Sequence, residues 1–359
     1  PEYSLGRLLI SHASAPELTL YDLDTSSLAG RIPFAARAQL EAGASGRYGY
    51  AFDPAQGVLH AVDPGQWLLS HIDHFHIVRG EHQLMTEQLR MPQLSSLLVS
   101  DGWVAAYDAS AGAASFFQER SITARSFAPT MIALRPAVNR GVAIVARAQL
   151  IASDGTQLSQ RPVIDPAVAR SQFPGCSEAR GAAAQGERVF VACAEGVLQL
   201  TWDSAQEVFV PQLLVTSEPV QAVRTTARFE GALAQLGARG LWLLSGTGAP
   251  PRTVELASDI AAFELRRQGE TAIVLTLDGS AHELELHDGR IVRSTPVPVA
   301  AHTRVALSHA FAYLSDPAAP RVLVLRLRTL QLEPELAIPA PAHDLTLVGV
   351  PSSYTDERE

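Results

Sequence analysis

The segment Trp67-Leu-Leu-Ser-His71-Ile-Asp73-His74-Phe-His76-Ile-Val-Arg79-Gly80 carries three of the chain's eleven histidines within six positions, and His82 follows six residues beyond His76. Imidazole nitrogen is a borderline donor that suits Zn²⁺, Cu²⁺ and Ni²⁺. Zinc takes three or four such ligands in a tetrahedron at about 2.0–2.1 Å. An extended stretch puts His74 and His76 on one side and His71 and Asp73 on the other. The four therefore converge only on a loop, or two bind while further donors come from elsewhere in the fold. Asp73 is then an oxygen ligand or the acceptor that orients an imidazole. The alternative is a solvated loop with fortuitous histidines.

Other chemistry is sparse. All 28 basic residues are Arg, which removes every mechanism built on a lysine: a phosphate clamp, a Schiff base, a kinase-type site. No G-x-S-x-G elbow supplies a nucleophile. Carboxylate pairs such as Asp22 and Asp24 fall in turns, where Asp is favoured for backbone reasons. The glycines are scattered and form no phosphate cradle. With 37 acidic residues the net charge is −9, which argues against nucleic acid as a partner, because phosphate binding needs a basic face. No apolar run reaches the roughly 18 residues of a spanning helix, so no membrane insertion is expected.

The two cysteines, Cys176 and Cys193, are too far apart for a C-x-x-C redox or zinc motif. Cys193 ends the apolar run Val189–Ala192 and Cys176 follows a Pro-Gly turn. A disulfide between neighbouring strands is expected, worth about 3 kcal/mol by loop entropy and placing the chain in an oxidising compartment. The alternative is two unrelated buried thiols. The chain begins at Pro1 with no initiating Met, which predicts a mature, processed form.

The elements that must position these groups are short strands. Helical periodicity is nowhere sustained for three turns. Instead, pairs of short apolar runs split by a turn start near residues 8, 48, 97, 142, 189, 233, 272 and 311. A period of about 40–50 residues with several strands per repeat is the signature of a β-propeller. The expectation is all-β: one propeller domain over residues 1–359 with eight blades, or seven because the fourth pair is weakly formed. A last apolar strand, Leu345–Val348, would close the ring by completing the first blade, leaving no free sheet edge. In such a ring the starts of innermost strands line the central channel. His302 and His343 lie near such starts and could face each other across it, as further metal donors. Each is also explicable as an ordinary rim histidine, as are His12 and His309. His60, His282 and His287 read as structural.

The run HIDHFHIVRG after VDPGQWLL resembles the corresponding segment of periplasmic zinc metallochaperones of the AztD type. The opening LLISHASAPELTLYDLDTSSLAGRIPF, FVACAEGVLQL and AYLSDPAAPRVLVLRL are also similar to that family. The likeness runs over nearly the whole chain, and its specific motif is the Asp-His-x-His segment. It implies a periplasmic propeller that binds Zn²⁺ through His71, Asp73, His74 and His76 and hands it to the solute-binding protein of a zinc ABC transporter, without catalysis. Two departures stand out. Thr130 and Met131 occur where further family histidines are expected, and Ala179 and Arg180 where a His-Gly is expected. They imply that a channel site used by relatives is depleted here. The competing readings are a metal-dependent hydrolase or lyase with its metal in the channel, and an interaction propeller that uses no metal.

Overall fold

The computed structural model describes residues 4–70, 75–122, 128–137, 140–226, 228–246, 248–266 and 270–350. The chain is an eight-bladed β-propeller of four-stranded antiparallel sheets, with no α-helix among the described residues. It divides into two compact units, residues 91–257 and residues 1–90 with 258–359. Each unit holds four blades.

Each expected strand pair lies inside a blade. Leu8–Ile10 belongs to the strand Arg7–His12, which pairs with Glu17–Asp22 and then Ser27–Pro33. The closing strand Ala342–Val348 pairs antiparallel with Arg7–His12 and completes this first blade, Leu8 opposite Leu347 and Ile10 opposite Leu345. The weakly patterned fourth pair is a full sheet, Ala143–Ala146 through Ser171–Phe173, so eight blades form and not seven.

The apolar runs do not alternate because blades bury both faces against neighbours. Leu8, Leu9 and Ile10 are all fully buried. Leu9, Leu20, Ala51 and Val62 join the first and second blades in one cluster, and Phe190, Val197, Ala234 and Trp242 join the fifth and sixth. Each such aliphatic side chain contributes about 1.5–3 kcal/mol relative to exposure. The turns follow a repeated aspartate device. Oδ1 of Asp53 accepts N–H bonds from Ala55 and Gln56 at 2.8 and 3.1 Å, and Asp22, Asp203 and Asp316 do the same for the residues two and three beyond them. Asp22 is thus a turn former, as its sequence context predicts.

A second repeated device concerns the innermost strands. In five blades the start of this strand carries a β-bulge, which makes Ser95, Arg180, Gln221, Ala261 and His343 the extra residues. A bulge leaves one residue outside the ladder and re-aims its side chain.

The second blade departs from the repeat. Between its third strand, Val58–Asp63, and its fourth, Gln83–Arg90, a separate hairpin is inserted, Gln66–Ser70 paired with Phe75–Arg79. Gly65 sits at its base with φ +70°, and a Cβ there would meet the Gly80 carbonyl oxygen at 2.5 Å.

Candidate metal centre

The histidine-rich segment is therefore not one extended stretch. It is a hairpin whose strands end at Ser70 and resume at Phe75. His71, Asp73 and His74 fall in the connection and lie outside the described residues. His76 is described: it pairs with Leu69 across the hairpin. Directly opposed residues share a face, so His76, Leu69, Trp67 and Val78 lie on one side. On that side Leu69 is 49% exposed and His76 is exposed.

The other face ties the hairpin to the first blade. Gln66 is fully buried and its Nε2 donates to Ser4 Oγ at 2.7 Å. Leu68 packs on the cluster of Leu8, Tyr313 and Leu347. At the base, Arg7 NH1 donates to the Pro64 carbonyl while Arg7 Nε pairs with Asp22 at 3.3 Å. Arg47 pairs with Asp63 at 2.9 Å and stacks over the Trp67 ring at 4.0 Å. Arg79 pairs with Asp24 at 3.3 Å, and Asp24 also accepts from Ser4 Oγ at 2.6 Å. Every guanidinium named here meets a carboxylate.

His302 and His343 lie at the inner-strand starts of adjacent blades. His302 lies in the turn before the innermost strand Val305–Leu307, and His343 is the bulged second residue of Ala342–Val348. Burial holds the His343 imidazole below its ordinary pKa, and the charges of Arg304 and Arg37 and the proximity of His302 push in the same direction. The adjoining Asp344 carboxyl is pushed up to about 6 by burial, opposed by the Leu40 N–H and by Arg304. Its Oδ2 accepts from Leu40 N and its Oδ1 from Leu345 N, both at 2.9 Å.

The remaining histidines are structural where their contacts are given. His12 is fully buried, with Nδ1 2.9 Å from the Ala340 carbonyl and Nε2 2.7 Å from Thr19 Oγ1. A carbonyl only accepts, so Nδ1 carries the proton and Nε2 accepts from the Thr19 hydroxyl. His282 lies 3.1 Å from Thr276 Oγ1 and 2.7 Å from Ser294 Oγ. His60 meets the Phe34 ring edge-on at 5.4 Å. The His82 ring fills the place of a side chain at Gly30, where a Cβ would come within 2.2 Å of it.

The two sequence departures land in different places. Thr130 and Met131 are on the outermost strand of the third blade, opposite Phe116 and Ser115, and Met131 is 61% exposed. They are far from the inner-strand edge of that sheet, so histidines there would not have lined a channel. Arg180 is a bulged inner-strand residue and pairs with Glu178 at 3.0 Å. The register that gives Arg180 and His343 equivalent positions leaves no trace in the sequence. Cys176 and Cys193 are bonded to each other, both buried, tying the approach to the fifth blade to its second strand.

Among the described residues no group of three or more His, Cys, Asp or Glu side chains is placed to hold a metal ion. No family model and no curated sequence matches the chain. Among solved structures it is similar to apo AztD from Citrobacter koseri, with a TM-score of 0.86 at 18% identity over 95% of this chain and 97% of that one. A second Citrobacter koseri AztD structure gives 0.86 at 17% identity over the same shares. The dihydro-heme d1 dehydrogenase NirN in complex with DHE gives 0.69 at 13% identity, over 97% of this chain and 78% of that one. At such identities the likeness shows the fold.

Proposed function

We propose that this chain is a periplasmic zinc metallochaperone that carries Zn²⁺ on its inserted hairpin and delivers it to the solute-binding protein of a zinc ABC transporter. The observation that carries the reading is the hairpin itself. It is the one insertion into the blade pattern among the described strands, it is anchored at its base by two arginine–aspartate pairs, and it bears His71, Asp73, His74 and His76. The donor set suits zinc: imidazoles with one carboxylate that ligates or orients. The family resemblance on these same residues supports the choice of metal and partner. The Cys176–Cys193 disulfide fits an oxidising compartment, and no described helix is long and apolar enough to cross a membrane.

Electrostatics favours the hairpin over the rim pair as the zinc site. Two guanidiniums beside His302 and His343 raise the cost of placing a divalent cation there. Zinc on imidazoles can leave by ligand exchange, one bond replaced at a time by a partner's donor, so delivery needs no nucleophile or general base. Imidazole ligands must be neutral, so zinc is released on acidification below about pH 6. The test is transfer. The zinc-loaded chain is mixed with the zinc solute-binding protein or with a chelator of matched affinity. Faster transfer to the protein than to the chelator is expected. Equal rates, or no zinc retained beforehand, would contradict delivery.

A further inference from the structure

The corner where the innermost strands of the eighth, first and second blades begin has a composition unlike the rest of this acidic chain. Arg304 precedes the strand Val305–Leu307, His343 opens Ala342–Val348, and Arg37 precedes Gln39–Ala42. Backbone and side-chain bonds hold Arg37 against the first blade, next to the start of the strand that carries His343. Arg37 N donates to the His12 carbonyl at 2.8 Å, its Nε donates to the Ala13 carbonyl at 3.3 Å, and Ala13 N donates to the Pro341 carbonyl at 3.1 Å. Arg304 is held to its own blade by Ser315, whose Oγ accepts from Arg304 N at 2.8 Å. Arg304, Arg37 and His302 are exposed and His343 is half-buried.

These guanidiniums differ from those at the hairpin. Among the described residues neither Arg37 nor Arg304 makes an ion pair, whereas Arg7, Arg47 and Arg79 each meet an aspartate. The nearby carboxylate, Asp344, already spends an oxygen on each of two backbone N–H donors. The bulge leaves His343 outside the ladder between Arg7–His12 and Ala342–Val348. Two guanidiniums without an ion-pair partner among the described residues, with two imidazoles at the starts of neighbouring inner strands, are the donor set that recognises a multiply charged oxyanion.

We infer that Arg37, Arg304, His302 and His343 form a binding site for a small oxyanion, phosphate-like or polycarboxylate, at the inner-strand corner of this unit. The site is separate from the hairpin and does not rest on the zinc reading. Both guanidiniums donate to the anion's oxygens, and the imidazoles supply N–H donors.

The experiment is isothermal titration of the full chain with inorganic phosphate and, in a second arm, with citrate, at pH 7 and low salt. Saturable binding of one equivalent is expected in at least one arm, and the tighter arm tells whether a tetrahedral oxyanion or a polycarboxylate fits. Arg304→Gln and Arg37→Gln should each weaken it about tenfold, the scale of one lost charge-assisted bond. The exposed Arg140→Gln should leave it unchanged, and so should His74→Ala with His76→Ala. Two variants keep the test open should one fail to fold, as read by circular dichroism. Absence of saturation in both arms, or an equal loss in Arg140→Gln, would overturn the site.

Discussion

Two regions of one compact unit each set histidines beside arginines, and they solve the charge problem in opposite ways. At the inserted hairpin, Arg79 and the Arg47 that stacks on Trp67 are paired with Asp24 and Asp63, and His76 is exposed. At the inner-strand corner, Arg37 and Arg304 lack such partners among the described residues, and His343 feels both. On our proposals, the same side chain serves a cation in the first place and an anion in the second. Histidine count alone does not tell a metal site from an anion site; the partners of the adjacent guanidiniums do.

The comparison breaks most sharply if the hairpin loses its anchor. Arg7 and Asp22 are both nearly buried, with 10% and 7% side-chain exposure. Removing one partner of a buried pair costs about 3–5 kcal/mol. Arg7→Ala should lower stability by that amount in urea unfolding, and should expose the hairpin to proteolysis before the rest of the chain.

A loss of similar size elsewhere serves as a control. Changing both Cys176 and Cys193 to Ser should cost about 3 kcal/mol by loop entropy. It should leave zinc binding unaltered at temperatures where the protein stays folded, because the disulfide lies in the other compact unit. Chemical denaturation and zinc titration of the same variant check both halves. Arg47→Ala should cost less, about 1–2 kcal/mol, from a partly exposed ion pair and its stacking on Trp67. It should shift Trp67 fluorescence, which the cysteine change should not.

The blades were largely legible because the physics that forms them is local. Runs such as Leu8–Ile10 and Ile273–Leu275 are uniformly apolar, and the Asp-Gly and Asp-Pro turns that split four of the eight pairs announce themselves. The hairpin was not legible as a hairpin. Its strands, Gln66–Ser70 and Phe75–Arg79, are five residues each, and the histidines between them read as a loop. The bulges were invisible for another reason: the displacement of His343 and Arg180 depends on ladder register, which no residue type encodes. The placement of His302 and His343 on adjacent blades, about 40 residues apart in sequence, is likewise set by the fold.

The smallest expected effect is on pH dependence. Burial is the main cause that lowers the His12 pKa below its usual value. The folded state then binds fewer protons than the unfolded state as pH falls through about 6.5. His12 therefore contributes stability that is present above that pH and lost below it. The denaturation midpoint of the wild-type chain should fall more steeply between pH 7 and 5 than that of His12→Asn. Asp344, whose carboxyl is raised to about 6, acts in the opposite sense. Its contribution is lost as pH rises toward that value, and carboxyl chemical shifts resolve the two.

The contrast between hairpin and corner is tested most directly by equilibrium dialysis against Zn²⁺ at pH 7.5, comparing three proteins. Wild type should retain zinc, His302→Ala with His343→Ala should retain the same stoichiometry, and His74→Ala with His76→Ala should lose an equivalent. If the hairpin variant binds as wild type does, or the corner variant is the one that loses zinc, the assignment of metal to the hairpin is wrong.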